Sequence, residues 1–290
     1  MKRVTMGFLR RYKVHSLLLP VFALVLFSSC SVERRLAREF VDQQDRPPVI
    51  LKEPAQFYLV SYKETEQDTS GLKTWQVDSI RYHESEIVQY VNPDSAQAFF
   101  FNAFEKQLEQ LDFNVYKGNE IAELLSNDTA KPLVMRFPQM EIEEFTKPYA
   151  HEEFIRGKKY YKNFDLDAVN LNSWLQLSRR GVEGSEFYFI TDSITDVVDG
   201  HFYITERTGK VKFRYKYYDV KTEDIYSFMQ DMGRNYAQYV FDHYLNRFVD
   251  ANRNKSAQRT FRYHYDPADD SFILIRQLPW IEMQREDLAP

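Results

Sequence analysis

The chain has one cysteine, Cys30, in 290 residues, so no internal disulfide can form and packing alone must hold the fold. Its nine glycines are scattered, which leaves no glycine-rich loop to cradle a phosphate. Neither Gly-x-Ser-x-Gly nor His-Glu-x-x-His occurs, so the usual marks of serine hydrolases and zinc peptidases are missing. No apolar run reaches the roughly 20 residues of a membrane-spanning helix. Internal repeats and low-complexity tracts are absent as well.

Aromatic side chains are plentiful, with 20 Tyr and 23 Phe. Little glycine together with strong apolar periodicity indicates a folded protein rather than a flexible stalk. In a strand-rich domain such aromatics serve first as core and cross-strand pairs, and second as surfaces for sugars or peptides.

The amino terminus has three parts: a basic stretch (Lys2, Arg3, Arg10, Arg11, Lys13) without an acid, an apolar run from Leu17 to Phe27, and small residues ending at Cys30. The segment Phe27-Ser28-Ser29-Cys30 resembles the lipobox of a bacterial lipoprotein signal peptide. An ordinary secretory signal would leave Cys30 an incidental thiol, but its position directly after the apolar run and two serines favours lipidation. The resemblance implies cleavage after residue 29, a lipid on Cys30, and location in the cell envelope, anchored to the outer membrane. It also implies that the membrane is a partner through that lipid. Residues 30–290 then carry 33 basic and 43 acidic side chains, a balance that argues against nucleic acid as a partner.

The charged, proline-marked stretch up to Pro54 reads as a tether, so the expected organisation is a signal peptide at 1–29 and a lipidated tether at 30–54. An α/β envelope domain then covers 55–250, and a carboxy-terminal hairpin and tail cover 251–290. Gln56–Tyr62 is expected to be a strand, with a second one around Trp75–Ile80 making a hairpin. Asn92-Pro93-Asp94 offers a helix cap, followed at helical spacing by Phe100, Phe104, Leu108 and Leu111. A short strand at Phe113–Tyr116, a short helix at Glu120–Leu125 and a strand at Pro132–Phe137 follow. Residues Lys147–Asn163 lack a period and read as an exposed loop. Further strands are expected at Leu171–Leu177 and Glu186–Ile190. A hairpin should pair His201–Thr205 with Val211–Tyr217, in which Val211, Phe213, Tyr215 and Tyr217 alternate with Lys212, Arg214 and Lys216. Thr222 opens the longest helix, with the stripe Ile225, Met229, Met232, Tyr236, Val240, Tyr244 and Phe248. Phe261–Tyr265 and Phe272–Ile275 form a last hairpin around Asp266–Ser271. The fold class is α+β: a mainly antiparallel sheet covered on one face by two longer helices, in a single main domain.

This order of elements, with Phe99–Tyr116 and the turn Tyr217-Tyr218-Asp219-Val220-Lys221-Thr222, is similar over residues 56–250 to small α/β domains of envelope lipoproteins. These include the amino-terminal domain of the Tol-Pal propeller protein, lipoprotein activators of penicillin-binding proteins, and auxiliary lipoproteins of lipid-transport ABC systems. The resemblance implies binding or scaffolding rather than catalysis.

Chemistry-bearing residues are few. Glu141, Glu143 and Glu144 follow a strand and offer the paired acids of a glycan-processing enzyme, although an acidic strand edge that discourages aggregation explains them equally. His83-Glu84 with Glu86, and His151-Glu152-Glu153, have metal-ligand types but lie in charged stretches typical of solvated surface. Asp266, Asp269 and Asp270 lack the alternation of a calcium loop and suit a turn. No cofactor and no catalytic residue is assigned. The expected role is a lipid-anchored, non-enzymatic module for an envelope protein or glycan. The alternatives are a glycan-processing enzyme or a lipid carrier with a groove under the long helix.

Overall fold

The computed structural model describes residues 32–43, 46–54, 56–126, 131–253 and 260–283. Residues 17–30, and with them the lipidation expected at Cys30, lie outside the described residues. The protein is α+β, and its described residues form two compact units: 46–238 with 279–283, and 32–43 with 239–278.

The larger unit is built on a seven-stranded sheet whose strands are β1 (Val49–Lys52), β2 (Gln56–Ser61), β3 (Val115–Tyr116), β4 (Leu133–Ile155), β5 (Lys158–Arg179), β6 (Ser185–Thr195) and β11 (Ile281–Met283). Their order is β11-β6-β5-β4-β1-β3, with β2 also on β4. The sheet is mixed: β1 and β2 run parallel to β4, whereas β4, β5, β6 and β11 are antiparallel. The tether reading of residues 46–54 is therefore corrected. Val49, Ile50 and Leu51 are buried in β1, because a parallel strand covered on both faces shows a continuous apolar run instead of alternation.

Helix α2 (Thr74–Glu84) replaces the strand expected at Trp75–Ile80. Its side chains are not buried, so no hydrophobic period marked it, and the Gln76 side chain accepts from the Lys73 N–H to close its first turn. Helix α3 (Pro93–Gln110) begins as its sequence predicts, with Asn92 Oδ1 accepting from the Ser95 N–H at 2.8 Å. Phe100 and Phe104 are fully buried and pack edge-on against Phe137. Helix α4 (Glu120–Ser126) is short, and α5 (Thr222–Asn252) is the longest. Residues of α5 up to Gln238 belong to this unit, where Gly233 lets α5 approach α3 so closely that an added Cβ would lie 2.2 Å from the Phe100 carbonyl oxygen. Tyr236 stacks edge-on against Phe100 at 5.4 Å.

Residues 147–163, expected as a loop, are instead the outer half of the β4–β5 hairpin. Ten residue pairs, from Thr146↔Asp167 to Ile155↔Lys158, run beyond the last β5–β6 pair, an arm of about 33 Å at the usual rise per strand residue. The arm ends in a two-residue turn with Arg156 and Gly157 both at positive φ, the conformation that matches strand twist. A second hairpin, β7 (Val197–Ile204) with β8 (Val211–Tyr218), packs on it through His151, Tyr160, Phe164, Phe202, Phe213 and Tyr215. Gly200 is required here, since any side chain would strike the Phe213 ring. The base of this hairpin is fixed by buried Asp196, which accepts from the Asp167 N–H, the Val220 N–H and the Tyr217 hydroxyl. Burial, and then the hydrogen bond to Asp196, push the Tyr217 hydroxyl pKa far upward.

The smaller unit contains α1 (32–41), the part of α5 from Tyr239, and the hairpin β9 (Arg262–Asp266) with β10 (Ser271–Ile275). Phe40 meets Phe241 and Phe248 at 5.5 and 5.6 Å. Polar residues four apart on α5 clasp β9: Asp242 holds the Tyr265 N–H and His264, Asn246 pairs with both backbone groups of Tyr263, and Asp250 pairs with Arg262. Beyond Val240 the buried apolar positions of α5 are Phe241, Leu245 and Val249, not the predicted Tyr244 and Phe248. Uniform steps of four residues drift around a helix that turns every 3.6.

Candidate functional site

Strand alternation sorts β4, β5 and β6 into two faces. One face carries Met140, Ile142, Leu171, Leu175 and Ile190, all buried. On the other, the rows Gln139↔Trp174↔Phe189 and Glu141↔Asn172↔Thr191 lie in register, next to Glu143↔Asn170. Tyr58 of β2, opposite Glu141, extends the rows and is exposed.

This second face is a polar platform with aromatic borders. Glu143 Oε2 accepts from Asn172 Nδ2 at 2.7 Å and Asn170 Nδ2 at 3.4 Å, and Thr191 donates to Asn172 Oδ1 at 2.8 Å. Trp174 and Phe189 pack with ring centroids 5.1 Å apart. The chain of hydrogen bonds fixes the amides, so their remaining donors and acceptors have set directions. Glu141 is half-buried beside Glu143; burial, then the Glu143 charge, raise its pKa, while a hydrogen bond from Gln139 opposes the rise.

Farther along the same face lies a cleft of about 780 Å³. Ile50, Val134 and Phe187 form its floor, Ile121 and Leu125 of α4 close it from above, and Lys52, Arg179 and Arg180 line it without an acidic neighbour in the lining. Arg180 Nη1 donates to the Leu125 carbonyl at 3.2 Å, tying the end of α4 to the rim. A cationic rim over an apolar floor favours an anion that carries apolar surface.

The acidic cluster is divided by the pleat. Glu141 and Glu143 share the platform, side by side on one strand rather than facing each other across a cleft. Glu144 lies on the opposite face, fully buried, and accepts from the backbone N–H groups of Glu86, Ile87 and Val88 at 3.1, 3.0 and 2.9 Å. It caps the 3₁₀ turn Val88–Tyr90, a structural task, and leaves the set of candidate site residues.

The other candidates also separate. His151 packs inside the arm, Glu152 points outward to Lys159 at 2.7 Å, and Glu153 accepts from the Phe202 N–H. Glu84 accepts from Thr65 and Gln67, and Glu86 lies 3.4 Å from Lys63. Asp270 is taken by Arg38 and the Tyr265 hydroxyl, and Asp266 accepts from the Ala268 N–H within the turn.

Sequence reasoning missed Lys52, Arg179, Arg180 and the amides Asn170 and Asn172. Asn172 had a signal, since it alternates with Leu171 and Ser173 in the predicted strand Leu171–Leu177; Asn170, one residue before that strand, and the cations had none. Fold and platform together define an α+β protein with a ligand-sized sheet face on which α4 packs at the cleft. The chain matches no family model and no curated protein.

Proposed function

We propose that the chain is a lipid-anchored envelope protein that acts by binding, and that its ligand, an anionic glycan, lies along the sheet face that carries Glu141, Asn172 and Trp174. The observation that carries this reading is the continuity of that face, from amides and aromatics at Asn170, Asn172 and Trp174 to the cations of the cleft. Aromatic rings beside fixed amides suit sugar rings, and Lys52, Arg179 and Arg180 suit a carboxylate or phosphate. Phe100 and Tyr236 pack closely where α5 meets α3 at Gly233, which favours the sheet face over the space under α5 as the binding surface.

The test is sedimentation of the protein with purified envelope glycan. Binding that falls in Trp174→Ala and Asn172→Ala supports the reading, and binding that survives both overturns the assignment of the face. Cys30→Ser should make the protein extractable from the membrane fraction by high salt, and retention through a high-salt wash would remove the anchor.

A second reading is hydrolysis of the same ligand, favoured by the two carboxyls Glu141 and Glu143 on one face: burial, then the Glu143 charge, raise the Glu141 pKa in the direction a general acid needs. Glu141→Gln with Glu143→Gln would abolish hydrolysis, and a wild-type rate in that variant would dismiss both residues.

A further inference from the structure

The arm differs in charge from the rest of the chain. Residues 146–166 and 197–218 carry ten Lys and Arg against five Asp and Glu, whereas the remaining residues carry 28 against 38. Six of the ten basic residues lie toward the far end. Hydrogen bonding of the Phe202 N–H to Glu153 and the contact of Phe202 with Tyr160 bring the β7–β8 turn to the same end as the β4–β5 turn. Arg156, Lys158, Lys159, Lys162, Arg207 and Lys210 therefore gather at one end. Of the three acids there, Glu153 is occupied by backbone, Glu152 by Lys159, and Glu206 lies beside Arg207 in the β7–β8 turn, so the cations outnumber them two to one.

Two large aromatics stand among these cations. Register places Phe154 opposite Lys159 and Tyr161 opposite Glu152, so the two rings lie diagonally on one face of the hairpin. They are 74% and 68% exposed, against a chain in which Phe100, Phe104 and Phe137 are fully covered. Tyr160, Phe164, Phe202, Phe213 and Tyr215 join the two hairpins, whereas register puts Phe154 and Tyr161 on the opposite face of β4–β5.

We infer that the tip of the arm docks on an anionic phospholipid surface, with Phe154 and Tyr161 seated among the headgroups and the surrounding lysines and arginines on the lipid phosphates. Aromatic rings prefer the headgroup level of a bilayer, and each basic side chain near an anionic leaflet adds attraction that salt screens. A nucleic acid or an acidic protein would use the cations but gives no reason for two exposed rings at the extremity. The inference is independent of Cys30 and of the glycan reading, since it concerns other residues.

The test uses the full chain with Cys30→Ser and Phe154→Cys, labelled at residue 154 with an environment-sensitive fluorophore. Vesicles of phosphatidylglycerol and phosphatidylcholine should shift the label's emission to the blue, and pure phosphatidylcholine should not. The same label at Glu183, placed there by Glu183→Cys with Phe154 intact, reports any contact made by other parts of the chain and should stay unshifted. Lys158→Glu with Lys159→Glu should weaken the response at residue 154 by more than about 30-fold. Inorganic phosphate at the same charge concentration should not reverse the shift. A label at residue 154 that remains in water on anionic vesicles overturns the proposal. So does a response equal on both vesicle types, or one that single-stranded DNA removes while Tyr161→Ser leaves it unchanged. Circular dichroism on each variant confirms that the fold is intact.

Discussion

Replacing Glu144 is the most informative perturbation of the fold, because its carboxylate is fully buried and serves three backbone N–H groups at once. It also has Lys63 Nζ at 3.6 Å, and Lys63 in turn reaches Asp167 at 2.8 Å. In Glu144→Ala the three donors lose their acceptor in a site that a short side chain leaves closed to bulk water. An unsatisfied buried donor costs about 1–3 kcal/mol, and breaking a buried charged contact costs about 3–5 kcal/mol. The donors relax together, so the expected loss is about 4 kcal/mol rather than the sum of all terms. That is a large part of the roughly 5–15 kcal/mol by which a domain is stable. Glu144→Gln keeps one acceptor oxygen but turns an NH₂ toward the donors, and should lose about half as much. Urea unfolding followed by circular dichroism measures both, with the slope of the transition unchanged. A Glu144→Ala protein within 1 kcal/mol of the parent would refute the capping role and return Glu144 to the set of candidate site residues.

Three other outcomes are expected. Glu141→Gln should raise the melting temperature at neutral pH: a carboxyl whose pKa is raised by burial contributes stability that is full below its unfolded value and lost as pH rises through its folded value. His264 Nδ1 lies 2.6 Å from buried Asp242, and that hydrogen bond raises its pKa. The stability this adds is complete below about pH 6.5 and disappears as pH rises through the raised value, so melting temperature should fall across that window in the parent and stay flat in His264→Gln. Gly233→Ala sets a helix-propensity gain of about 1 kcal/mol against overpacking of about 1–3 kcal/mol at the Phe100 carbonyl. Denaturant unfolding should show a net loss, and a stabilised variant would refute the close α3–α5 approach.

Legibility followed burial on one side. Helix α3 was readable because it buries one face and exposes the other. Hairpin β7–β8 was readable because half-covered and exposed residues alternate over Val197–Phe202 and Val211–Arg214, although Tyr215 and Tyr217 of the expected buried face are exposed. Strand β1 buries both faces and α2 buries neither, and both were misread for that reason. The outer half of β4–β5 lacks a period because its inner face mixes His151, Glu153 and Lys162 with aromatics. At the site, Glu141 and Glu143 were legible as acids in a strand. Their partners were not, since Asn170 and Asn172 join them only through pairing with a strand about 30 residues away.

By itself, the sequence determined the α+β class, the absence of disulfide support, the long helix and the aromatic investment in packing. These depend on composition and on local periods, which neighbouring residues fix. Only the tertiary structure decided that residues 49–52 belong to the sheet and that Glu144 is a cap. It also decided that the amides, acids and cations share one face and that the basic turns meet at one end. Each of these is a matter of strand order and register, and register is set by distant partners whose identity no local window contains.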